Sequence, residues 1–325
     1  MRYPFFFLKN HNFRITAALF IGCSLLFFFT WIRKEQSLRQ KLQTIPFEDR
    51  CYLEVFFRTL ISEEDGCYVL FGDKPAAMMV YEDRKPLQLS VSLRGSLIGF
   101  SRRNLGFKVW QKYQHLFPFN SYVIVNTRGF NPASEAVFLI HKERLLTTLN
   151  QNFTEFQKKF PEFKTPKHLL NAMIENSSVL HQVCFESDLL LGIILGFGKD
   201  NASLFERERE IERFLFPQRV FVSRHDIENP LTMLVPQSGF RTLEEELIAI
   251  QAKGAGVFDP NDEALMNWTL HFPLGFLVDT TKTDPKKLHI KYKRQRIQAT
   301  RVYDKGNFLE TTLRELTSVR NVSAD

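Results

Sequence analysis

The sequence predicts an α+β fold: an N-terminal transmembrane helix, then antiparallel β-hairpins packed with helices, and a C-terminal half that is mostly α-helical. Three patterns carry this expectation. Residues 15–32 contain no charge, two pairs of aromatic and branched runs each flank a loop bearing Gly and Pro, and helix-capping signals recur after His141. The periods of these patterns, helical in one place and two-residue in another, place the chain in the mixed class.

The first element is the run "ITAALFIGCSLLFFFTWI", Ile15 to Ile32, bracketed by Arg14 and by Arg33 and Lys34. A bilayer core takes roughly 20 mostly apolar helical residues, so this run spans it with a little help from its flanks, and Trp31 sits where an interfacial aromatic belongs. A cleaved signal peptide has a shorter apolar region and a small-x-small site, whereas "TWIRKEQ" follows here. The segment therefore reads as an uncleaved, single-pass anchor in contact with the lipid bilayer, with residues 1–14 as a short tail. The tail carries Arg2, Lys9 and Arg14 against Arg33, Lys34, Arg39 and Lys41 on the other flank. Short tails before a first anchor stay inside, which places the main domain on the extracytoplasmic side. Residues 33–50 read as a juxtamembrane stalk with Leu38, Leu42 and Ile45 at helical spacing, and residues 51–325 as a single globular domain.

Within that domain, "DRCYLEVFFRTLISEEDG" places Leu53, Phe56, Phe57 and Leu60 on one helical face and stops at Gly66. The runs around Gly72-Asp73-Lys74-Pro75 predict a first hairpin, and Tyr122–Val125 with Ala136–Ile140 a second. Between them "RRNLGFKVWQKYQHLF" is helical in period. Beyond His141, Thr165 caps a helix with Pro166 at its first position, and Thr242 with Glu245 forms a capping box before a helix that closes on Gly254.

"LLLGIILGFGKDNASLF", Leu189 to Phe205, has the look of a phosphate loop. The Walker pattern fails because position 193 is Ile and Asp200 stands where the metal-binding hydroxyl belongs. The apolar part is also too short to span a bilayer. It is expected to be a core helix from about Ser178 to Leu195. Its glycines either admit a neighbouring backbone or end the helix at Gly196 to Gly198, before a new helix with a charged face.

Candidate chemistry is sparse. His181, Cys184 and Asp188 could share one face of that helix, but adjacent side chains on one helix aim poorly for nucleophilic catalysis, so a buried Cys beside a hydrogen-bonded His is expected. No HExxH, GxSxG or CxxC occurs, and no catalytic residue, metal ligand or cofactor-binding residue is assigned. Cys51 and Cys67 are a candidate disulfide, which requires an oxidising compartment. The run "KKLHIKYKRQR" follows the helix start Asp284-Pro285, with Leu288, Tyr292, Ala299, Val302 and Tyr303 as its apolar stripe. Its six cations, Lys286, Lys287, Lys291, Lys293, Arg294 and Arg296, are a candidate contact for an anionic surface or a protein partner. A charge of +7 spread over 325 residues does not favour nucleic acid. The 33 phenylalanines point to a Phe-rich core.

Taken together, "EVFFRTLISEEDGCYVLFGDKPAAMMVY" (Glu54 to Tyr81), Leu189 to Phe205, and "NFLETTLREL" (Asn307 to Leu316) resemble an uncharacterised family of N-terminally membrane-anchored proteins from intracellular bacteria. That family has no known function, so the resemblance implies no activity, catalytic residue or cofactor. It does imply a bacterial origin, which makes the five Asn-x-Ser/Thr triplets at Asn152, Asn176, Asn201, Asn267 and Asn321 incidental. The expected function is non-enzymatic binding at a bacterial membrane; the alternative is a membrane-associated transferase or hydrolase without a linear motif.

Overall fold

A computed structural model of the chain describes residues 36–82, 105–129, 134–216, 234–256, 277–282 and 284–318. The predicted anchor Ile15–Ile32 and Cys23 lie outside them. The chain divides into two units, Met1–Arg50 and Cys51–Asp325. In the first, residues 36–44 are helical, with Leu38 and Leu42 one turn apart.

The second unit is mixed α+β and mostly helical, around a small antiparallel sheet of strands β1 (Ala76–Glu82), β2 (Tyr122–Arg128) and β3 (Ser134–His141) in the order β1-β3-β2. The β2–β3 hairpin is the second one that the sequence predicts, with Val125 opposite Phe138 and Val123 opposite Ile140. Because side chains alternate across a strand, register sends Ala76, Ala136, Phe138 and Ile140 to one face. That face packs against α3 (Lys142–Lys159), α4 (Pro166–Glu175), α5 (Ser177–Phe185) and α6 (Asp188–Ile194) through Leu145, Leu149, Phe156, Leu169, Leu180 and Ile194. On the opposite face the Tyr81 ring lies 6.1 Å from Phe107, in helical residues 105–113, and Phe107 lies 5.7 Å from Phe56 of α1 (Phe47–Arg58). Both faces are covered, so β3 is buried along nearly its whole length.

The first predicted hairpin does not form. After α1 the chain makes a π turn, Thr59–Glu63, and then α2 (Gly66–Leu70), so Tyr68 to Leu70 are helical and β1 pairs with the distant β3. Gly66 is what lets α2 sit there, since a Cβ on it would come within 2.4 Å of the Leu60 carbonyl oxygen. Gly72 to Pro75 then link a helix to a strand.

The expected central helix is also two. It breaks at Glu186 and Ser187, where the Ser187 hydroxyl accepts the Leu190 N–H and donates to Glu206 Oε1, which also accepts the Leu189 N–H at 3.0 Å. The glycines of the Leu189–Phe205 stretch do both jobs expected of them. Gly192 lets α7 (Lys199–Leu215) approach, because a Cβ there would be 2.7 Å from that of Ala202. Gly196, at φ 82°, closes α6: its N–H donates to the Ile193 carbonyl and Phe197 N–H to the Gly192 carbonyl, both at 3.0 Å, as in a Schellman motif.

Both predicted caps are present: Thr165 Oγ1 accepts the His168 N–H, and Thr242 Oγ1 accepts the Glu245 N–H ahead of α8 (Leu243–Lys253). The sequence gives no hint of what fastens α8 to α7. Arg207 grips the buried Glu246 with Nε–Oε1 at 2.7 Å and Nη2–Oε2 at 2.8 Å, and Glu246 also accepts the Gln237 N–H. A second, two-stranded antiparallel pair, β4 (Gly254–Gly256) with β5 (Leu277–Asp279), follows α8. Asn201 of α7 anchors it by accepting the Asp279 N–H at 2.9 Å, and its amide nitrogen donates to the Phe197 carbonyl. One of the Asn-x-Ser/Thr triplets is thus spent on internal structure.

Candidate functional site

The site is α9 (Pro285–Tyr303) and the segment on which it rests, residues 65–74. The α9 start follows from its first two residues. Asp284 Oδ1 accepts the N–H groups of Lys286 and Lys287, and Pro285 takes the first helical position, where no N–H is needed. The alternation in "LHIKYK" would also suit a strand, but the segment is helical, and Tyr292 and Tyr303 find partners at helical spacing.

Those partners define the inner face. Tyr292 meets Tyr68 edge-on at 5.4 Å, and Tyr303 meets Phe71 at 5.7 Å and stacks on Phe308 of α10 (Phe308–Thr317) at 4.6 Å. Asp73 fixes the position of the helix along its axis: one carboxylate oxygen takes Lys291 Nζ at 2.6 Å and the other takes Gln295 Nε2 at 3.0 Å. A Cβ on Gly72 would lie against the Gln295 amide and 2.6 Å from the Tyr68 carbonyl oxygen, and the backbone carbonyl cannot swing aside, so the turn there requires the glycine.

Beneath this face lies a cluster of ionisable groups. Lys74, with its side chain only 1% exposed, pairs with Asp65 Oδ2 at 3.1 Å and stands 4.7 Å from the centre of the Phe197 ring. Asp65 holds a left-handed backbone, φ 64°, a conformation seldom taken by non-glycine residues. Burial, and then Asp65, push the Cys67 thiol upward against the pull of Lys74 and Arg296, so it stays protonated and is no nucleophile. Burial likewise raises the Tyr292 phenol, helped by Asp73 and Asp65.

The six predicted cations do not share one surface. Lys286, Lys287 and Arg294 are exposed, and Lys291 and Lys293 half-buried. Arg296 belongs to the inner face with Tyr292, Ala299 and Tyr303 at positions i, i+4, i+7 and i+11, and only 7% of it is exposed. It is removed from the predicted surface. Arg301, beyond the run read from the sequence, takes its place, because the exposed face is Ile290, Arg294, Ile297 and Arg301 at the same spacing. Ile290 is 49% exposed and Ile297 39%, so this face is both basic and apolar.

The other sequence candidates separate. Cys184 is buried and its thiol pushed up by burial, and His181 Nδ1 pairs with the Arg128 carbonyl at 3.0 Å. Asp188 belongs to the next helix and is held by Arg213 Nη2 at 2.6 Å. No nucleophile–base pair forms among the three. Cys51 is exposed and Cys67 buried, both as free thiols, so no bond joins them. Among the described residues no three His, Cys, Asp or Glu side chains gather as a metal site, and no helix is long and apolar enough to cross a membrane.

No protein-family model, curated protein or solved structure matches the chain.

Proposed function

We infer that the chain is a single-pass protein anchored by Ile15–Ile32 that works by binding, with the outer face of α9 resting on an anionic lipid surface on the extracytoplasmic side of a bacterial membrane. The reading includes membership of the membrane-anchored bacterial family that its sequence resembles. One observation carries it: Ile290 and Ile297 lie exposed among Lys286, Lys287, Arg294 and Arg301, and α9 itself contains no acidic residue. A basic helix face with apolar residues suits the boundary between headgroups and acyl chains.

The magnitudes set the mode of action. Each basic residue near an anionic leaflet contributes about 1 kcal/mol, so four cations and two partly inserted isoleucines would hold a free domain only weakly. A tether changes this, because an anchored domain meets its own membrane at high effective concentration. The contact would then orient the domain rather than recruit it.

Hydrogen exchange on the full chain, embedded in neutral or in partly anionic bilayers, tests this. Slower exchange over residues 285–303 in the anionic bilayer, reversed by salt, is expected. Equal exchange in the two bilayers would refute it.

A further inference from the structure

The net charge of +7 is unevenly placed along the chain. Residues 84–134 hold eight Lys and Arg and no Asp or Glu, so the remainder is slightly acidic. Two helices of the second unit expose the two signs. In the helix of residues 105–113, Phe107 and Trp110 are buried, which leaves Leu105, Lys108 and Lys112 outside at positions i, i+3 and i+7. Leu105 is 41% exposed. In α8, Leu243, Leu247 and Ile250 pack with Ile211 and Glu246 is held by Arg207, so the outer face is Glu244, Glu245 and Ile248. Ile248, at 66%, is the most exposed large apolar residue among those described in the second unit.

The two faces are complementary, each with one apolar residue and two charges, of opposite sign. Their order along the chain sets a register. The lysines lie C-terminal to Leu105 and the glutamates N-terminal to Ile248, so apolar meets apolar and charge meets opposite charge only when the helices run antiparallel. With the helical rise, Lys108 stands about 4.5 Å along its axis from Leu105, and Glu245 and Glu244 about 4.5 and 6 Å from Ile248.

We propose that the outer face of residues 105–113 docks the α8 face of a second copy of this chain, Leu105 against Ile248 and Lys108 and Lys112 against Glu244 and Glu245. Because the two faces differ, the contact is heterologous: each copy offers one of each, and copies join head to tail into a ring or an open row. The outer face of α9 matches α8 less well, since it spreads two isoleucines among four exposed cations. The lipid contact inferred above uses that face, so the two contacts stand or fall separately.

The test is sedimentation of the full chain in non-ionic detergent over a concentration series. Association that grows with concentration and weakens with salt is expected, and Ile248→Ser should weaken it at least tenfold. Lys108→Glu/Lys112→Glu makes both faces acidic. Glu244→Lys/Glu245→Gln makes both basic, with glutamine keeping the capping acceptor of α8. Each variant alone should stay monomeric where the parent associates, and an equimolar mixture should associate again, which also shows that both are folded. A parent chain that stays monomeric, leaving the basic face to lipid or to an acidic partner protein, would overturn the proposal. So would association that both variants retain, a mixture that does not associate, or association lost only in Arg294→Glu/Arg301→Glu.

Discussion

Lys74 Nζ lies 3.1 Å from Asp65 Oδ2, and the two partners are unequally buried, at 1% and 27% side-chain exposure. Breaking a buried pair is costly chiefly because of the charge left behind. Asp65→Asn strands the fully enclosed ammonium, whereas Lys74→Met strands a carboxylate that still reaches water. Asparagine tolerates the left-handed backbone, so the first substitution isolates the charge effect. Urea unfolding should show a loss of about 2–4 kcal/mol for Asp65→Asn and a smaller one for Lys74→Met.

Gly196 and Gly198 have nearly the same left-handed φ, 82° and 83°, but different surroundings. A Cβ at Gly196 would lie 2.6 Å from Pro75 Cδ, whereas nothing lies within 4 Å of one at Gly198. Gly198 pairs that φ with ψ 153°, a region taken essentially only by glycine, so Gly198→Ala should cost about 1–3 kcal/mol through the backbone alone. Gly196→Ala adds a clash with a rigid ring, so Pro75→Ala should recover part of its loss in unfolding midpoint and none of the Gly198→Ala loss.

The Arg207–Glu246 clamp is a buried pair whose loss should be large. Glu246→Gln removes the charge from a bidentate contact and should cost on the order of 3 kcal/mol in thermal or urea unfolding. Arg207 holds the Glu246 carboxyl below the usual range. The native state therefore binds this proton less readily than the unfolded chain does. The contribution is complete above about pH 4.3 and is lost as the pH falls through the folded value.

His141 gives the opposite acid–base type with the same sign of pH dependence. Burial, and then Arg144, push it down to about 4, and its Nδ1 accepts the Arg144 N–H at the start of α3. Between roughly pH 6.5 and pH 4 the unfolded chain takes up a proton that the native state refuses, so this stability is full above pH 6.5 and declines on acidification. His141→Asn keeps a capping acceptor and removes the titration. Its stability curve should be flatter than that of the parent between pH 6.5 and 5, as followed by urea midpoints.

What was legible in the sequence was local. Thr165 with Pro166, Thr242 with Glu245, and Asp284 with Pro285 mark helix starts through contacts within four residues, and each of these starts is present. The pairing of β2 with β3 is likewise local, two strands that follow one another closely in sequence. Tyr68 to Phe71 misled because a short aromatic and branched run suits a buried helix as well as a strand, and the choice is made by Leu60 and Tyr292, one before the run and the other far beyond it. The break at Ser187 is set by Glu206, 19 residues on. Arg296 was legible in part: helical period places it between Tyr292 and Ala299, on the apolar stripe, but grouping by charge placed it with the surface lysines. Its burial turns one basic run into two faces with different chemistry.

The most direct test of the central claim, that the outer face of α9 rests on anionic lipid, is photocrosslinking from that face. Ile290→benzoylphenylalanine in the full chain, embedded in bilayers and irradiated, should yield a lipid adduct, identified by mass spectrometry, when anionic lipid is present. The yield should fall in neutral bilayers, at high salt, and in Arg294→Glu/Arg301→Glu. No lipid adduct, or a yield indifferent to lipid charge and to those substitutions, would contradict the account.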